Sequence, residues 1–164
     1  MILKNLTMIA AIGQKNELGK RGDLVWHLRA DLRHFRDTTM GKFIIMGEKT
    51  YESLPVVLKG RKYLVLSPNL KEIPEGKVFN TLESLLDFVK EANEEIFVCG
   101  GGMVYKLLLP YSSKMILTEI EATDNEADVF FPKFNRDEWK KQEGESQKEN
   151  DIKFKINVYN RIGI

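Results

Sequence analysis

Cysteine is nearly absent: Cys99 is the only one among 164 residues. No internal disulfide can therefore form, and no cysteine-rich metal site can be assembled. That usage suits a reducing compartment, and the expectation is a cytoplasmic protein. Histidine is scarce too. His27 and His34 have no cysteine partner, so zinc-ligand spacing is missing and no metal is expected. Long apolar runs are also missing. Residues 8–12 are too few for the hydrophobic stretch of a secretory leader and far too few to span a bilayer, so no membrane partner is expected. Charge of one sign is lacking as well: 25 basic and 24 acidic residues leave a net +1, which gives no electrostatic footprint for nucleic acid. Without repeats, low-complexity tracts or linkers rich in Gly, Ser or Pro, residues 1–164 read as one domain, with a monomer as the simplest expectation.

What is there has a regular organisation. Residues 6–12 are a continuous apolar run closed by Gly13, which predicts a strand buried on both faces. Residues 14–23 are polar, hold Gly19 and Gly22, and read as a mobile surface loop. From Leu28 the period turns helical, with Leu28, Leu32 and Phe35 at i, i+4 and i+7. Residues 43–46 and 63–66 are short apolar strands, closed by Gly47 and by Ser67-Pro68-Asn69. Asn80 and Glu83 have capping-box spacing ahead of a helix over 82–89. Residues 96–99 form a buried strand that runs into Gly100-Gly101-Gly102, and 104–109 a short helix stopped by Pro110. Residues 115–120 and 154–159 complete the strands.

Strands alternating with helical segments predict an α/β fold, with a mostly parallel central sheet and flanking helices. The last two strands should form an antiparallel hairpin, because the segment between them holds no convincing crossover helix. Residues 136–153 are dense in charge and read as a solvated loop and edge strand.

Four features could carry chemistry. Asp31 shares the helix face of Leu28 and Phe35, so it either sits at the margin of the apolar stripe or is buried with a purpose. Trp26 stands just upstream. The glycine run after a buried strand allows close backbone approach and opens a helix with free N–H groups, yet it also fits a tight turn. It is not the GxGxxG fingerprint. Gly47-Glu48-Lys49-Thr50, at another strand-to-helix turn, could hold a phosphate or simply be a capped helix start, and it lacks Walker spacing. Arg61, before the strand at Tyr63, could grip a carboxylate in bidentate fashion or lie on the surface. Ser53 and Ser67 fit no nucleophile elbow.

Taken in order, these segments resemble dihydrofolate reductase. The resemblance runs from about Met8 to Pro132, with a weaker trace through Trp139 and the last strand. It is carried by Met8-Ile9-Ala10-Ala11, Leu24-Val25-Trp26-His27-Leu28, Ala30-Asp31-Leu32 with Phe35, Ile45-Met46-Gly47 with Thr50, and Glu52-Ser53-Leu54. Leu58-Lys59-Gly60-Arg61, Gly100-Gly101-Gly102 with Tyr105, Leu117-Thr118, and Asp128 ahead of Phe131-Pro132 complete the set.

The resemblance implies NADPH-dependent reduction of dihydrofolate to tetrahydrofolate, with antifolates as inhibitors. Asp31 would take the pterin's amide N–H and amine, braced by Thr118. Trp26 and Leu24, the latter at the inner tip of a mobile lid over residues 13–26, would complete the catalytic group. Ile9, Ala10, Leu32, Phe35, Leu54, Leu58 and Cys99 would wall the substrate pocket, and Arg61 would clamp the glutamate tail. For the cofactor, Gly47, Thr50 and Gly100 to Gly102 would hold the phosphates, with Glu48, Lys49, Leu66, Ser67 and Pro68 on the adenosine side. Ala11, Gly19, Met103 and Val104 would add contacts, and Tyr105 would sit between nicotinamide and pterin. Asp128 would support the lid from a neighbouring loop. Hydride would enter the pterin's imine carbon while the adjacent nitrogen takes a proton from an ordered water that Asp31 orients.

The sequence also departs from the family. Glu48 stands where a basic residue is common, Pro68 where a donor is common, and Met103 where some members have arginine. A carboxylate repels a phosphate, so a weaker preference for NADPH over NADH is expected unless Lys49 or Lys62 compensates. Val25 replaces a proline before Trp26, which should loosen the lid. Three other readings compete with the resemblance: a reductase of a pyrimidine intermediate in flavin synthesis, a non-catalytic folate- or nucleotide-binding protein, and a structural or interaction module.

Overall fold

The apolar run near the N-terminus becomes the central strand. The computed structural model describes residues 1–54 and 57–164. In it β1 (Leu3–Ile12) is fully buried at Leu6, Thr7 and Met8, as a run without alternation requires. Two short strands follow, β2 (Glu17–Lys20) and β3 (Asp23–Leu24), then α1 (Arg29–Thr39). β4 (Phe43–Gly47) runs directly into α2 (Glu48–Ser53), and β5 (Lys62–Leu66) and β6 (Gly76–Phe79) come next. α3 (Leu82–Glu91) returns the chain to β7 (Ile96–Val98). α4 (Gly102–Leu108), ended by a tight turn over Leu109–Tyr111 that contains Pro110, leads to β8 (Ser112–Ile120). β9 (Val129–Phe130), β10 (Trp139–Gln142), β11 (Gln147–Glu149) and β12 (Ile152–Arg161) complete the chain.

The main sheet has the order β10-β12-β8-β1-β7-β4-β5-β6, with β11 also paired to β12. Neighbours from β8 to β6 are parallel, whereas β12 runs antiparallel to β8, β10 and β11. The expected parallel sheet with a C-terminal antiparallel hairpin is therefore present. The order also locates a crevice. The chain leaves β1 toward β4 on one side, then leaves β7 toward β8 on the other, so the crossovers diverge at β1 and β7. Ligands of open α/β sheets bind beyond the carboxyl ends of the strands at such a point.

Alternation along the strands divides the core in two. One face packs Met8, Ile45, Leu64 and Val98 against Leu85 and Val89 of α3 and Leu108 of α4. The other packs Ile9, Ile44, Met46 and Val65 beside Phe35 of α1.

Several details differ from the sequence reading. The polar stretch 14–23 is no plain loop: β2 lies between β3 and β9 in a separate small sheet. Its backbone bonds, not apolar periodicity, make it a strand, so composition concealed it. β6 has no apolar run to mark it in the sequence, because it is a four-residue edge strand with half its residues exposed. The cap of α3 is Thr81, whose hydroxyl accepts from Ser84 N at 3.1 Å. Asn80 instead donates to the carbonyls of Ser67 and Leu70. α4 starts inside the glycine run, two residues earlier than expected. On α1, Leu28 is the residue before the first turn and is buried, while Leu32 is 45% exposed. The charged segment 136–153 is mostly solvated, but Trp139 within it is buried.

Candidate active site

Asp31 is the third residue of α1, and its carboxyl turns toward β8. There Thr118, 1% exposed, donates its hydroxyl to Asp31 Oδ1 at 2.5 Å. A carboxyl at the stripe's margin would be solvated; this one is largely removed from water. Burial pushes it above the ordinary carboxylate range, Glu149 adds to the push, and the Thr118 bond and His34 pull the other way. His34, one turn along α1, is held below its ordinary value by burial. Its Nε2 is buried without a hydrogen-bond partner among the described residues.

Ile9, Phe35, Leu54, Leu58 and Cys99 come together on the α1 side of the sheet. Ala10 points its methyl into the opposite cluster, so only its backbone borders this side. Ala11, Trp26 and Leu28 form a third cluster with Ile120 and Phe154. Burial pushes the Cys99 thiol far up, so it stays protonated as an apolar wall. Tyr105 is buried and donates its hydroxyl to the Ile9 carbonyl at 2.6 Å, which ties α4 to β1.

Arg61 is not on the surface. It is 8% exposed, with Nε donating to Thr39 Oγ1 at 3.1 Å, one Nη to the Lys59 carbonyl at 2.6 Å and the other to the Arg36 carbonyl. A guanidinium has five N–H donors. Three are used among the described residues, which leaves one N–H on each Nη for a further acceptor such as a carboxylate.

The glycine run closes the crevice on its other side. Gly100 has φ +112°, a left-handed value that a side chain would strain, and its carbonyl accepts from Gly47 N at 2.9 Å. The Gly100–Gly101 peptide is cis. A Cβ on Gly101 would stand 3.2 Å from Thr50 Oγ1, so the starts of α2 and α4 nearly touch. Neither start has a side-chain cap. α3 is capped by Thr81, and Glu149 accepts from the first N–H groups of α1. Among the four α-helices described, the two left uncapped are therefore the two that converge.

Some expected roles change on the adenosine side. Ser67 is fully buried; its hydroxyl donates to Glu48 and accepts from Asn69 N and Leu70 N, each at 3.1 Å. One donor and two acceptor sites exhaust a hydroxyl, so Ser67 has nothing left for a phosphate. Instead it fixes the Glu48 carboxylate in place. Lys62 cannot compensate that charge. It pairs with Glu94 at 3.0 Å and lies 4.0 Å over the Phe43 ring, at the start of β5, about 13 Å along the strand from its far end. Lys49 is exposed at the start of α2, and Leu66 is half-buried. Pro68 and Met103 are exposed, whereas Val104 is buried against Gly47.

The small sheet lies beside the start of α4, where a Cβ on Gly102 would stand 2.9 Å from Val129. Its anchor is Glu17, a residue that nothing in the sequence distinguishes from a solvated glutamate. It is 1% exposed, and its carboxylate accepts from Lys15 N and Asp124 N, each at 2.7 Å. Gly13 makes room for it: a Cβ there would lie 2.5 Å from both Glu17 Oε1 and the Trp26 ring. Asp128 accepts from Arg21 N at 3.1 Å and donates its own N–H to the Gly19 carbonyl at 3.0 Å. Leu24 is 43% exposed on β3. Among the described residues no group of His, Cys, Asp and Glu is placed to hold a metal. Among the described residues no helix is long and apolar enough to cross a membrane.

Comparison with known proteins adds names to this geometry. The family model for dihydrofolate reductase matches residues 5–161. The chain is 42% identical over 134 residues to the dihydrofolate reductase of Haemophilus influenzae, covering 81% of this chain and 82% of that one. It is 37% identical to dihydrofolate reductase type 3 of Salmonella typhimurium over 84% of this chain and 85% of that one. With the dihydrofolate reductase of Bacillus subtilis it shares 34% identity over 95% and 94%.

Proposed function

The chain belongs to the dihydrofolate reductase family, and from that premise we propose how its own residues divide the work. It is an NADP-dependent oxidoreductase that reduces dihydrofolate, and no rival reading is favoured by its relatives. The observation that carries the assignment of residues is the Asp31–Thr118 pair, a half-buried carboxyl with an oriented hydroxyl partner at the mouth of the crevice.

Asp31 takes two parallel hydrogen bonds from the pterin's amide N–H and amine, which fixes the ring in its plane. Thr118 holds the carboxyl so that its free oxygen faces the ring. Ile9, Phe35, Leu54 and Leu58 exclude water around the ring, with Leu32 at the pocket's edge, and the remaining N–H groups of Arg61 take the substrate's tail carboxylate. The same carboxyl is the site at which a diaminopyrimidine antifolate pairs.

The family implies NADP(H), and the residues fit it. The converging uncapped starts of α2 and α4, lined by Gly47, Thr50, Gly101 and Gly102, supply N–H groups for phosphates in a space kept clear of Cβ atoms. When bound, the cofactor supplies the hydride. Reduction of the imine also needs a proton at the neighbouring nitrogen, and Asp31, whose carboxyl burial pushes above the ordinary carboxylate range, orients and polarises the water that delivers it. Tyr105, locked to Ile9, keeps the two rings' compartments in register, and the lid keeps bulk water out. Glu48, fixed by Ser67, weakens the preference for the phosphorylated cofactor. The same reading takes the protein as a cytoplasmic monomer, on its balanced charge and lone cysteine.

Oxidation of NADPH, and separately of NADH, with saturating dihydrofolate tests this reading in the wild type and in Asp31→Asn. Turnover with both cofactors, greater with NADPH, is expected, and Asp31→Asn should lose roughly 100-fold or more of the hydride rate. An unchanged rate in Asp31→Asn removes the role given to Asp31.

A further inference from the structure

α1 carries Asp31 in its first turn but does not cap itself. Leu28 precedes the helix in an extended conformation and offers no side-chain acceptor. The acceptor comes from far along the chain. Glu149, at the end of β11, receives Arg29 N–H on Oε2 at 2.7 Å and Ala30 N–H on Oε1 at 3.1 Å. These are the two backbone donors directly before Asp31.

The contact is built, not incidental. β11 is registered on β12 through Gln147 opposite Phe154 and Glu149 opposite Ile152. β12 is in turn registered on β8 through Phe154 opposite Ile120 and Ile156 opposite Thr118. One ladder therefore presents two grips to the start of α1: Thr118 on the Asp31 carboxyl, and Glu149 on the two N–H groups before it.

We propose that Glu149 is a positioning residue for the reaction, setting the place and the protonation of Asp31 through the first turn of α1. This rests on the reading of Asp31 as the working carboxyl. An open helix start carries partial positive charge, which favours an ionised carboxyl in the first turn. Glu149 answers that charge. It also faces Arg29 and Arg33, whose guanidinium groups would otherwise act on the same turn. The two backbone bonds hold Glu149 itself below its ordinary range, which favours the ionised form that faces Asp31. The other groups that face Asp31 are Thr118 of β8, His34 of α1 and the phenol of Tyr105 on α4. Removing Glu149 therefore exposes Asp31 to a more positive surrounding and should favour its ionised form.

The test compares the full-length wild type with Glu149→Gln, which keeps one acceptor without the charge, and Glu149→Ala, which removes both. Carboxyl NMR follows Asp31 in the ligand-free protein, with Asp31→Asn to assign the signal. In both variants its midpoint should move to lower pH. Hydride transfer on the alkaline limb should fall roughly two- to fivefold, the size expected for one charge at a helix start, with the acid plateau unchanged. A lower Tm with an unmoved midpoint in both variants overturns the proposal and leaves Glu149 as a structural cap. If Asp31→Asn keeps the wild-type pH dependence, the reading of Asp31 fails instead. If that dependence is lost in Asp31→Asn yet unmoved in both Glu149 variants, only the role of Glu149 fails.

Discussion

The main sheet and the small sheet beside the start of α4 share one kind of backbone ladder but are held by different forces. In the main sheet Ile44, Ile45, Leu64 and Val65 are completely buried, and helices cover both faces. In the small sheet Leu24 is 43%, Val129 37% and Phe130 48% exposed, and β3 and β9 have two residues each. Apart from Leu18, which is buried in the core, what fastens the small sheet is polar: the Glu17 carboxylate, the paired bonds between Asp128 and residues 19 and 21, and the Lys20–Asp124 contact. Apolar burial scales with area and is lost only when the domain opens. A few directional bonds at the surface can break alone. The comparison teaches that packing holds the main sheet rigid and leaves the small sheet the freedom that the proposed lid over residues 13–26 would need.

The largest effect should come from the sheet. Leu64 lies at the centre of β5 between β4 and β6, with no exposure. Leu64→Ala should cost about 2–5 kcal/mol of global stability, read from denaturant unfolding, while turnover per folded molecule stays near normal. A loss well under 1 kcal/mol would break the comparison, because the sheet would then not owe its stability to packing.

Next in size is Glu17. Glu17→Gln leaves one acceptor but turns an amide N–H toward one of two backbone donors, so a buried donor loses its partner. The expected cost is about 1–3 kcal/mol, and it should fall on the lid rather than on the whole domain. Hydrogen exchange would show it: amides near Lys15 and Asp124 should lose protection while those of β4 and β5 keep theirs. Equal loss in both sheets would show that the lid unfolds only with the core.

How far these two regions could be read from the sequence follows the same division. The main sheet was legible because apolar runs such as 6–12 and 43–46 declare burial directly, and Gly47 and Gly100 mark their ends. The pairing of Asp31 with Thr118 was legible only through the ordered resemblance; the helical period placed Asp31 on the right face but left its burial open. β2 was hidden, since its pairing with β9 depends on residues 129–130, more than 100 positions away, and β3 is a two-residue strand paired to β2 alone. Glu17, Glu149 and the buried Ser67 were hidden for a similar reason. A polar residue whose partners are backbone groups brought close by the fold leaves no periodic trace in the chain. Arg61 looked like a surface residue for want of the three acceptors that surround it.

The smallest effect should come from the outermost polar contact, and it sharpens the comparison by its pH dependence. Lys20 Nζ lies 2.6 Å from Asp124 Oδ2 and 3.9 Å from Glu126. The Lys20 hydrogen bond, helped by the N–H of Glu126, holds the Asp124 carboxyl below its ordinary value. A carboxylate depressed in the folded state stabilises that state at every pH above its unfolded value. The contribution is lost as pH falls through the lower, folded value. At neutral pH, Lys20→Met should therefore expose the lid amides to faster exchange than in the wild type, by less than Glu17→Gln does. The gap between Lys20→Met and the wild type should close in acid, as Asp124 takes up its proton in both proteins. Added salt at neutral pH should narrow it as well, because the pair is partly open to solvent. A gap that persists unchanged in acid and in salt would mean that the lysine's aliphatic stem, not its charge, holds the lid. The small sheet would then be fastened by packing, as the main sheet is, and the contrast between them would be one of degree.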